Sequence, residues 1–318
     1  VKHVLVTGAS GFIGAALVEA LAARGDRVTA LDMVIGSKAQ ALADRYDGVS
    51  VALSEITEWP SLFESMQADP PDGIVHCAAV VGVLASAQAP YRTFEVNVNG
   101  SLNVFEAARL LGVRRIIHIS SEETYGDFTA PIIDETHPQN PLMAYGISKL
   151  AVEHLGRSYG AHYGLEVVNM RVCWAYGPGL PRARVPKNFV DAAALGTACH
   201  LEHGAGMAVD HTHIDDVVQG LVLALDKDVH PFDAYNLGTG YAAPLSEIVD
   251  IVKDLVPGAD ISVGPGEYVH GAGEHSVSAV RKGALDINRA RETLGFKPRY
   301  PIREGLAAYV EAVKAGRG

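Results

Sequence analysis

Cysteine is scarce in this chain: Cys77, Cys173 and Cys199 are the only three among 318 residues. Three thiols, widely spaced in apolar sequence, exclude a disulfide framework and suit reduced core side chains in a cytoplasm. Concentrated positive charge is missing as well. Lys and Arg number 26 against 37 Asp and Glu, a formal net charge of −11, and the basic residues are scattered apart from Arg182 and Arg184. That balance excludes an electrostatic surface for nucleic acid. No apolar run approaches the roughly 20 residues that cross a bilayer, so no membrane partner is expected. The chain opens almost directly on a core-strand pattern, from which no export or anchoring signal is expected. Internal repeats, low-complexity tracts and long linkers are also lacking. What is abundant is hydrophobic sequence, 48% of residues against 20% charged, enough to bury one large core and a smaller lobe.

Strand and helix patterns alternate up to about residue 175. Strands are expected at 3–7, 27–32, 49–53, 73–77, 114–120 and 166–172, with helical stretches after each of the first five, such as 12–24, 92–111 and 144–163. The alternation predicts the α/β class: a Rossmann-type, doubly wound parallel sheet with helices on both faces, plus a smaller α/β substrate-binding lobe. The nucleotide-binding domain is expected over 1–175 and the lobe over 176–318. A segment near 212–240, ending in Asp233-Ala234-Tyr235-Asn236-Leu237-Gly238, reads as a return to the first domain. After Tyr176-Gly177-Pro178-Gly179 the rhythm breaks into loops, and 264–273 is rich in glycine.

The most informative local pattern is Thr7-Gly8-Ala9-Ser10-Gly11-Phe12-Ile13-Gly14, which follows the apolar Val4-Leu5-Val6 and opens an amphipathic helix. Gly8 permits a tight turn, Gly11 lets the backbone approach a pyrophosphate, and Gly14 lets the helix pack on the strand; the helix N-terminus faces the anion. The second strand ends in Asp32, at the spacing where an acid accepts hydrogen bonds from the adenosine ribose. A carboxylate there repels a 2′-phosphate, so NAD is expected rather than NADP.

A second constellation is Tyr145-Gly146-Ile147-Ser148-Lys149, where a helix is expected to begin after Pro138 and Pro141. Residues four apart share one helical face. A phenol with a pKa of about 10 is a poor base at neutral pH, and lowering it by about three units takes roughly 4 kcal/mol. A neighbouring ammonium is expected to supply much of that. Lys149 also has the reach to hold nicotinamide ribose hydroxyls. His200, His203, His211 and His213 carry no clear third ligand in a zinc-type spacing, so no metal is expected.

With these motifs in hand, the chain resembles the extended short-chain dehydrogenases/reductases of the NAD-dependent sugar epimerase/dehydratase group. The resemblance runs through Thr7 to Gly14, His76-Cys77-Ala78-Ala79, Asn97-Val98-Asn99-Gly100, Ser120-Ser121 through Tyr125-Gly126, and Tyr145 with Lys149. It continues through Arg171 to Tyr176-Gly177-Pro178, His213-Ile214-Asp215-Asp216, Tyr235-Asn236-Leu237-Gly238, and Leu294-Gly295-Phe296 with Pro298. It implies that Gly8, Ser10, Gly11, Phe12, Ile13, Gly14 and Asp32 cradle NAD. It further implies that Glu55 and Ile56 contact adenine, that Ala78 and Ala79 line the cofactor, that Asn97 supports the site, and that Tyr145 and Lys149 complete it. Helices 92–111 and 144–163 would form the contact of a homodimer.

The resemblance implies an enzyme in which Tyr145, as phenolate or proton relay, takes a hydroxyl proton while the carbinol hydride moves to NAD. Ser121 would orient the reacting oxygen. Reduction on the other face gives an epimerase, loss of carboxyl or water a decarboxylase or dehydratase, and escape of product a dehydrogenase. Ser121-Glu122-Glu123 resembles the Thr-Asp-Glu triplet of sugar dehydratases, in which adjacent acids divide proton transfers. Val81, Arg182, Arg184 and Asn188 are the expected substrate residues. Many members have an arginine where this chain has Val209, before Asp210-His211-Thr212. A sugar or sugar nucleotide is therefore the expected partner, a net dehydrogenase of a small sugar, polyol or sugar acid the alternative, and an NAD-binding scaffold a third reading disfavoured by the presence of Ser121, Tyr145 and Lys149.

Overall fold

The structure, a computed structural model, describes residues 2–270, 277–279 and 281–316. Positions 271–273 of the expected glycine-rich stretch lie outside the described residues.

Seven parallel strands form the central sheet: β1 (His3–Thr7), β2 (Arg27–Asp32), β3 (Val49–Leu53), β4 (Gly73–His76), β5 (Arg115–Ser121), β6 (Glu166–Val172) and β7 (Ala234–Leu237). Their order across the sheet is β7-β6-β5-β4-β1-β2-β3. β1, β4 and β7 are buried along their whole length, and on both faces Val4-Leu5-Val6 and Ile74-Val75 run apolar instead of alternating. The order reverses between β1 and β4. In open α/β sheets that switch leaves a crevice beyond the carboxyl ends of the strands. The first six strands lie within one residue of their expected bounds. β7 enters from the expected return segment and pairs with β6, Ala234 opposite Asn169 and Leu237 opposite Val172.

Helices cover both faces. Phe12–Ala23 turns Leu17, Val18 and Leu21 into the core. Ser101–Leu111 and Ala144–Tyr163 end on Gly112 and Gly164 at φ +74° and +70°, the left-handed cap that releases the chain from a helix at least cost. The expected helix over 92–111 is composite. Pro90–Phe94 is α-helical, Glu95–Gly100 winds as a π-helix, and Ser101–Leu111 resumes the α form. Side-chain periodicity does not signal that wider turn, which recurs at functional sites. At Gly100 a Cβ would stand 2.6 Å from Ile56 Cδ1, so any larger residue there would have to displace the Ile56 side chain.

The remaining C-terminal elements pack the helices Lys187–Leu195, Leu245–Leu255 and Ile302–Lys314 around short strands: Cys199–Leu201 with Ile261–Val263, and Ala208–Val209 with Ala243–Pro244. A further two-residue ladder joins Ile132–Ile133, just beyond β5, to Ala284–Leu285. Asp210 secures this end of the molecule. Its buried carboxylate accepts from Thr239 N at 2.7 Å, Gly240 N at 3.0 Å and Leu285 N at 3.2 Å.

Candidate active site

The turn after β1 is shaped by close approach. Gly8 has φ +66°, and a Cβ there would lie 2.7 Å from Ala78 N. A Cβ on Gly14 would overlap the Gly8 carbonyl oxygen. Gly11 caps the helix Phe12–Ala23 in extended conformation with no side-chain cap, so the first-turn N–H groups, those of Phe12 and Ile13 among them, face outward as an anion cradle. Ser10 N donates to Asp32 Oδ2 at 2.8 Å, and Ser10 Oγ bridges Val34 O and Gly36 N, each at 2.9 Å. The half-buried Asp32 carboxylate thus stands at the turn with acceptor capacity to spare. These residues fit a dinucleotide.

The other wall is held by Asn97. From the π-helical turn its side chain accepts from Val80 N at 2.7 Å and donates to Val80 O at 3.0 Å and Ser148 Oγ at 2.9 Å. One amide therefore ties the Ala78–Val81 loop to the helix that carries Tyr145. Ala78 N in turn donates to Thr7 Oγ1 at 3.3 Å. Ile56 is buried, while Glu55 is ion-paired to Arg92, and that hydrogen bond lowers its pKa.

At the end of β5, Ser121 Oγ donates to Glu122 Oε2 at 2.8 Å and accepts from Glu123 N at 3.2 Å, capping the 3₁₀ turn Glu122–Tyr125. Tyr145, 8% exposed, begins the adjoining helix. Burial raises its phenol above the ordinary value, with Glu122 and Glu123 acting in the same direction; Arg182 and a hydrogen bond with Ser121 oppose them. The expectation that Lys149 lowers the phenol is corrected here. Lys149 Nζ donates to Ile119 O at 2.6 Å, and burial pulls its own pKa down to about 8 despite Cys77 and Glu153. Spacing of four sets the two side chains on one helical face; it does not make their tips meet, and a buried ammonium takes the nearest carbonyl.

A buried network supports both elements. Glu153, on the same helix, accepts from Arg171 Nη2 at 2.7 Å and Ser120 Oγ at 2.6 Å; Arg171 Nη1 donates to Tyr125 OH at 2.8 Å, which donates to Asn236 Oδ1 at 2.7 Å. β5, β6, β7 and the helix Ala144–Tyr163 are thereby fixed to one another.

The expected substrate residues divide. Arg182 donates to the carbonyl of the exposed Val81. Arg184 lies over the Trp174 ring at 5.2 Å, donates to Ala175 O at 3.0 Å, and accepts Asn188 N at 3.0 Å through its carbonyl. Val209, where an anion ligand was weighed, is wholly buried core. Sequence reasoning missed several neighbours, Trp174, Tyr268, His270 and Lys282, and weighed His211 only as a metal ligand. His211 packs edge-on against Trp174, with Nδ1 on Val209 O at 3.0 Å and Nε2 without a partner among the described residues; burial and Arg184 bring it to about 3. Position directly past a strand's carboxyl end was the signal that could have found Trp174. His200, His203 and His213 are engaged apart from one another, with Ser262, Pro265 O and the N-cap of the helix Ile214–Asp226.

Comparison with known proteins bears on the whole chain. Residues 4–238 match the model of the NAD dependent epimerase/dehydratase family. The chain is similar to UDP-glucose 4-epimerase of Mycolicibacterium smegmatis, 32% identical over 96% of this chain and 97% of that protein. The crystal structure of UDP-glucose 4-epimerase from Thermotoga maritima with UDP-glucose superposes with a TM-score of 0.88 at 27% identity, covering 99% of both chains. DesIV, a dTDP-glucose 4,6-dehydratase from Streptomyces venezuelae with NAD bound, gives 0.86 at 27% identity, covering 99% of this chain and 98% of that one. The doubly wound sheet thus has its counterpart along the whole chain, and the family model spans most of it: the protein is an enzyme of the NAD dependent epimerase/dehydratase family, with NAD as its cofactor.

Proposed function

We propose that this enzyme transiently oxidises one carbinol of a nucleotide-activated sugar, with Ser121 and Tyr145 as the groups on the reacting oxygen. The observation that carries the reading is that Ser121, ending β5, and the buried Tyr145, opening the helix packed on the turn Glu122–Tyr125, stand at the edge of the sheet that also carries the glycine turn and Asp32. NAD, when bound, supplies the hydride acceptor. Ser121 Oγ orients the substrate hydroxyl and stabilises its developing charge, and Tyr145 Oη receives the proton while its own phenolic proton passes on to solvent. The raised phenol supports the relay form over a standing phenolate. Gly8, Ser10, Gly11, Phe12, Ile13, Gly14 and Asp32 hold the pyrophosphate and adenosine ribose, Ala78, Ala79 and Asn97 the nicotinamide half, and Glu55 and Ile56 the adenine edge; Lys149 binds the nicotinamide ribose. Val81, Arg182, Arg184 and Asn188 border the substrate in a lobe spanning 176–318, from which 212–240 returns to the sheet.

Relatives named for UDP-glucose, UDP-glucuronate and dTDP-glucose support an activated sugar. The burial of Val209 and the commitment of Arg182 to Val81 O favour the second reading, a net dehydrogenase of a small sugar or sugar acid. We further place the enzyme in the cytoplasm, as its three unpaired thiols support, and as a homodimer. Exposed Phe94, Leu102 and Ile147 on the two expected helices support that assembly.

The test is turnover of UDP-glucose, UDP-glucuronate and dTDP-glucose by protein purified with its NAD, read by product analysis. Tyr145→Phe should cut kcat by about 10²–10⁴-fold, the usual range for a lost acid–base group, while NAD retention stays within twofold of wild type. A near-normal rate for that variant would remove the mechanism. Failure of UDP and dTDP at millimolar concentration to raise Tm, with NADH appearing from a free sugar acid, selects the second reading.

A further inference from the structure

Thr7 and His76 stand opposite each other in the register of β1 and β4, the two strands between which the sheet order reverses. His76 is 1% exposed, yet both of its ring nitrogens are engaged: Nδ1 lies 2.7 Å from Thr7 Oγ1 and Nε2 lies 2.9 Å from Ser101 Oγ. An imidazole in the middle of a sheet loses its hydration, and only a complete set of partners offsets that loss.

Those partners fix where each proton lies. Ser101 Oγ donates to Asn97 O, a carbonyl that can only accept. Toward His76 the same hydroxyl must therefore accept, which puts the imidazole proton on Nε2. Burial, His118 and the Lys149 ammonium hold the ring well below the ordinary histidine range and keep it neutral. Nδ1 is then a bare lone pair that accepts from Thr7 Oγ1, and Thr7 Oγ1 accepts from Ala78 N at 3.3 Å. Beyond Ser101 the run continues through Asn97, whose Nδ2 donates to Ser148 Oγ at 2.9 Å, and Ser148 Oγ donates to Tyr145 O at 2.7 Å. His118, on the other side of His76 in the sheet, turns its Nδ1 to Asn169 Oδ1 at 2.9 Å instead.

One run of hydrogen bonds thus begins at the residue before Gly8 and ends on the backbone of Tyr145. Its first half is rigid, because a Cβ on Gly8 would lie 2.7 Å from Ala78 N. Its second half holds Val80 as well, through the Asn97 amide.

We propose that His76 is a positioning residue of the reaction: as the Nε2–H imidazole it ties the glycine turn to the π turn at Asn97 and, through Ser148, sets where the helix carrying Tyr145 begins. The inference rests on the reading of Ser121 and Tyr145 as the groups on the reacting oxygen. The hydride acceptor is held at the glycine turn and the proton acceptor on the helix, so their separation depends on this link, and an error of about 1 Å costs roughly 10²-fold in rate.

Nitrogen NMR of the full-length protein as purified, with its imidazole nitrogens labelled, needs no substrate, so its failure is distinct from failure of the sugar assay. His76, assigned by its disappearance in His76→Gln, should be neutral with Nε2 protonated between about pH 6 and 8. Placement is read on the Cζ resonance of Tyr145 in the NAD-bound protein and on kcat. His76→Phe, which keeps a ring and loses both hydrogen bonds, should move the resonance and lower kcat about tenfold or more, with KM and NAD retention within about twofold of wild type. His76→Gln, which loses the ring and keeps an N–H for Ser101, should stay within about threefold. A side chain that only filled space would rank the two variants the other way. If His76→Phe does not accumulate as folded protein, Ser101→Ala removes the acceptor of Nε2–H and should show the same loss. Thr7→Val and Ser148→Ala, at opposite ends of the run, should together cost no more than the larger single effect, because a link is cut only once. The proposal is overturned by a charged or Nδ1–H His76, by a Tyr145 resonance and rate unmoved in His76→Phe and Ser101→Ala alike, by a Phe variant faster than the Gln variant, or by end-of-run effects that multiply.

Discussion

Lys149 lies against the Ile119 carbonyl with its pKa down at about 8, because loss of hydration outweighs Cys77 and Glu153. A folded-state value below the unfolded one near 10.4 costs about 3 kcal/mol wherever the ammonium exists in both states. Below about pH 8 the whole cost is present. Between about 8 and 10.4 the folded chain has released its proton and the unfolded chain has not, so the cost declines as pH rises. Lys149→Met, which keeps the methylene packing and leaves Ile119 O without a donor at about 1 kcal/mol, should therefore stabilise ligand-free protein by about 2 kcal/mol at pH 7. Urea unfolding should show that gain shrinking toward pH 10, and NAD retention should fall. A variant equally destabilised at both pH values would contradict this account. Asp32 makes a second prediction at the same scale. Its carboxylate is fixed by Ser10 N and repels a 2′-phosphate, so NAD should bind at least tenfold more tightly than NADP, about 1.4 kcal/mol. Calorimetry with Asp32→Ala should narrow the gap, and equal affinities for wild type would refute it.

The proposed cofactor cradle is a property of an element, strand to turn to helix, in which each glycine meets a different neighbour. Gly14 touches the Gly8 carbonyl, whereas Gly206 has open space around its missing Cβ. Gly14→Ala must displace the first turn of the helix from the strand, an overpacking cost of about 1–3 kcal/mol or more, and should abolish NAD retention. Gly206→Ala should leave stability within about 0.5 kcal/mol and cofactor content unchanged. Denaturation midpoints and the absorbance of released NAD measure both. Wild-type retention in Gly14→Ala would show that the turn is not the cradle.

Across the whole molecule, the helices Ser101–Leu111 and Ala144–Tyr163 pack on each other and still present Leu102, Leu110, Ile147 and Tyr163 to solvent. Apolar side chains exposed on neighbouring helices mark an association surface more often than isolated ones do. A dimer of the 33.7 kDa chain should appear in sedimentation velocity, and Leu102→Glu with Ile147→Glu should convert it to monomer with its NAD retained. A wild-type monomer at micromolar concentration would remove the dimer.

The sequence by itself determined what depends on near neighbours. The first six strands, the turn from Gly8 to Gly14, Asp32 at the end of β2 and Tyr145 opening a helix follow from apolar periodicity, glycine placement and capping, all settled within about thirty residues by local sterics. Only the tertiary structure decided which distant groups share a buried volume. It turned Lys149 to a strand carbonyl, wound the helix around Asn97 into a π turn against Ile56, and brought Lys282 to Glu122 and Glu123, which no spacing rule connects to it. Periodicity reports which face a residue is on. The partner of a buried charge is set instead by dehydration, which makes an ammonium or carboxylate seek whatever opposite charge or dipole the folded chain places within reach.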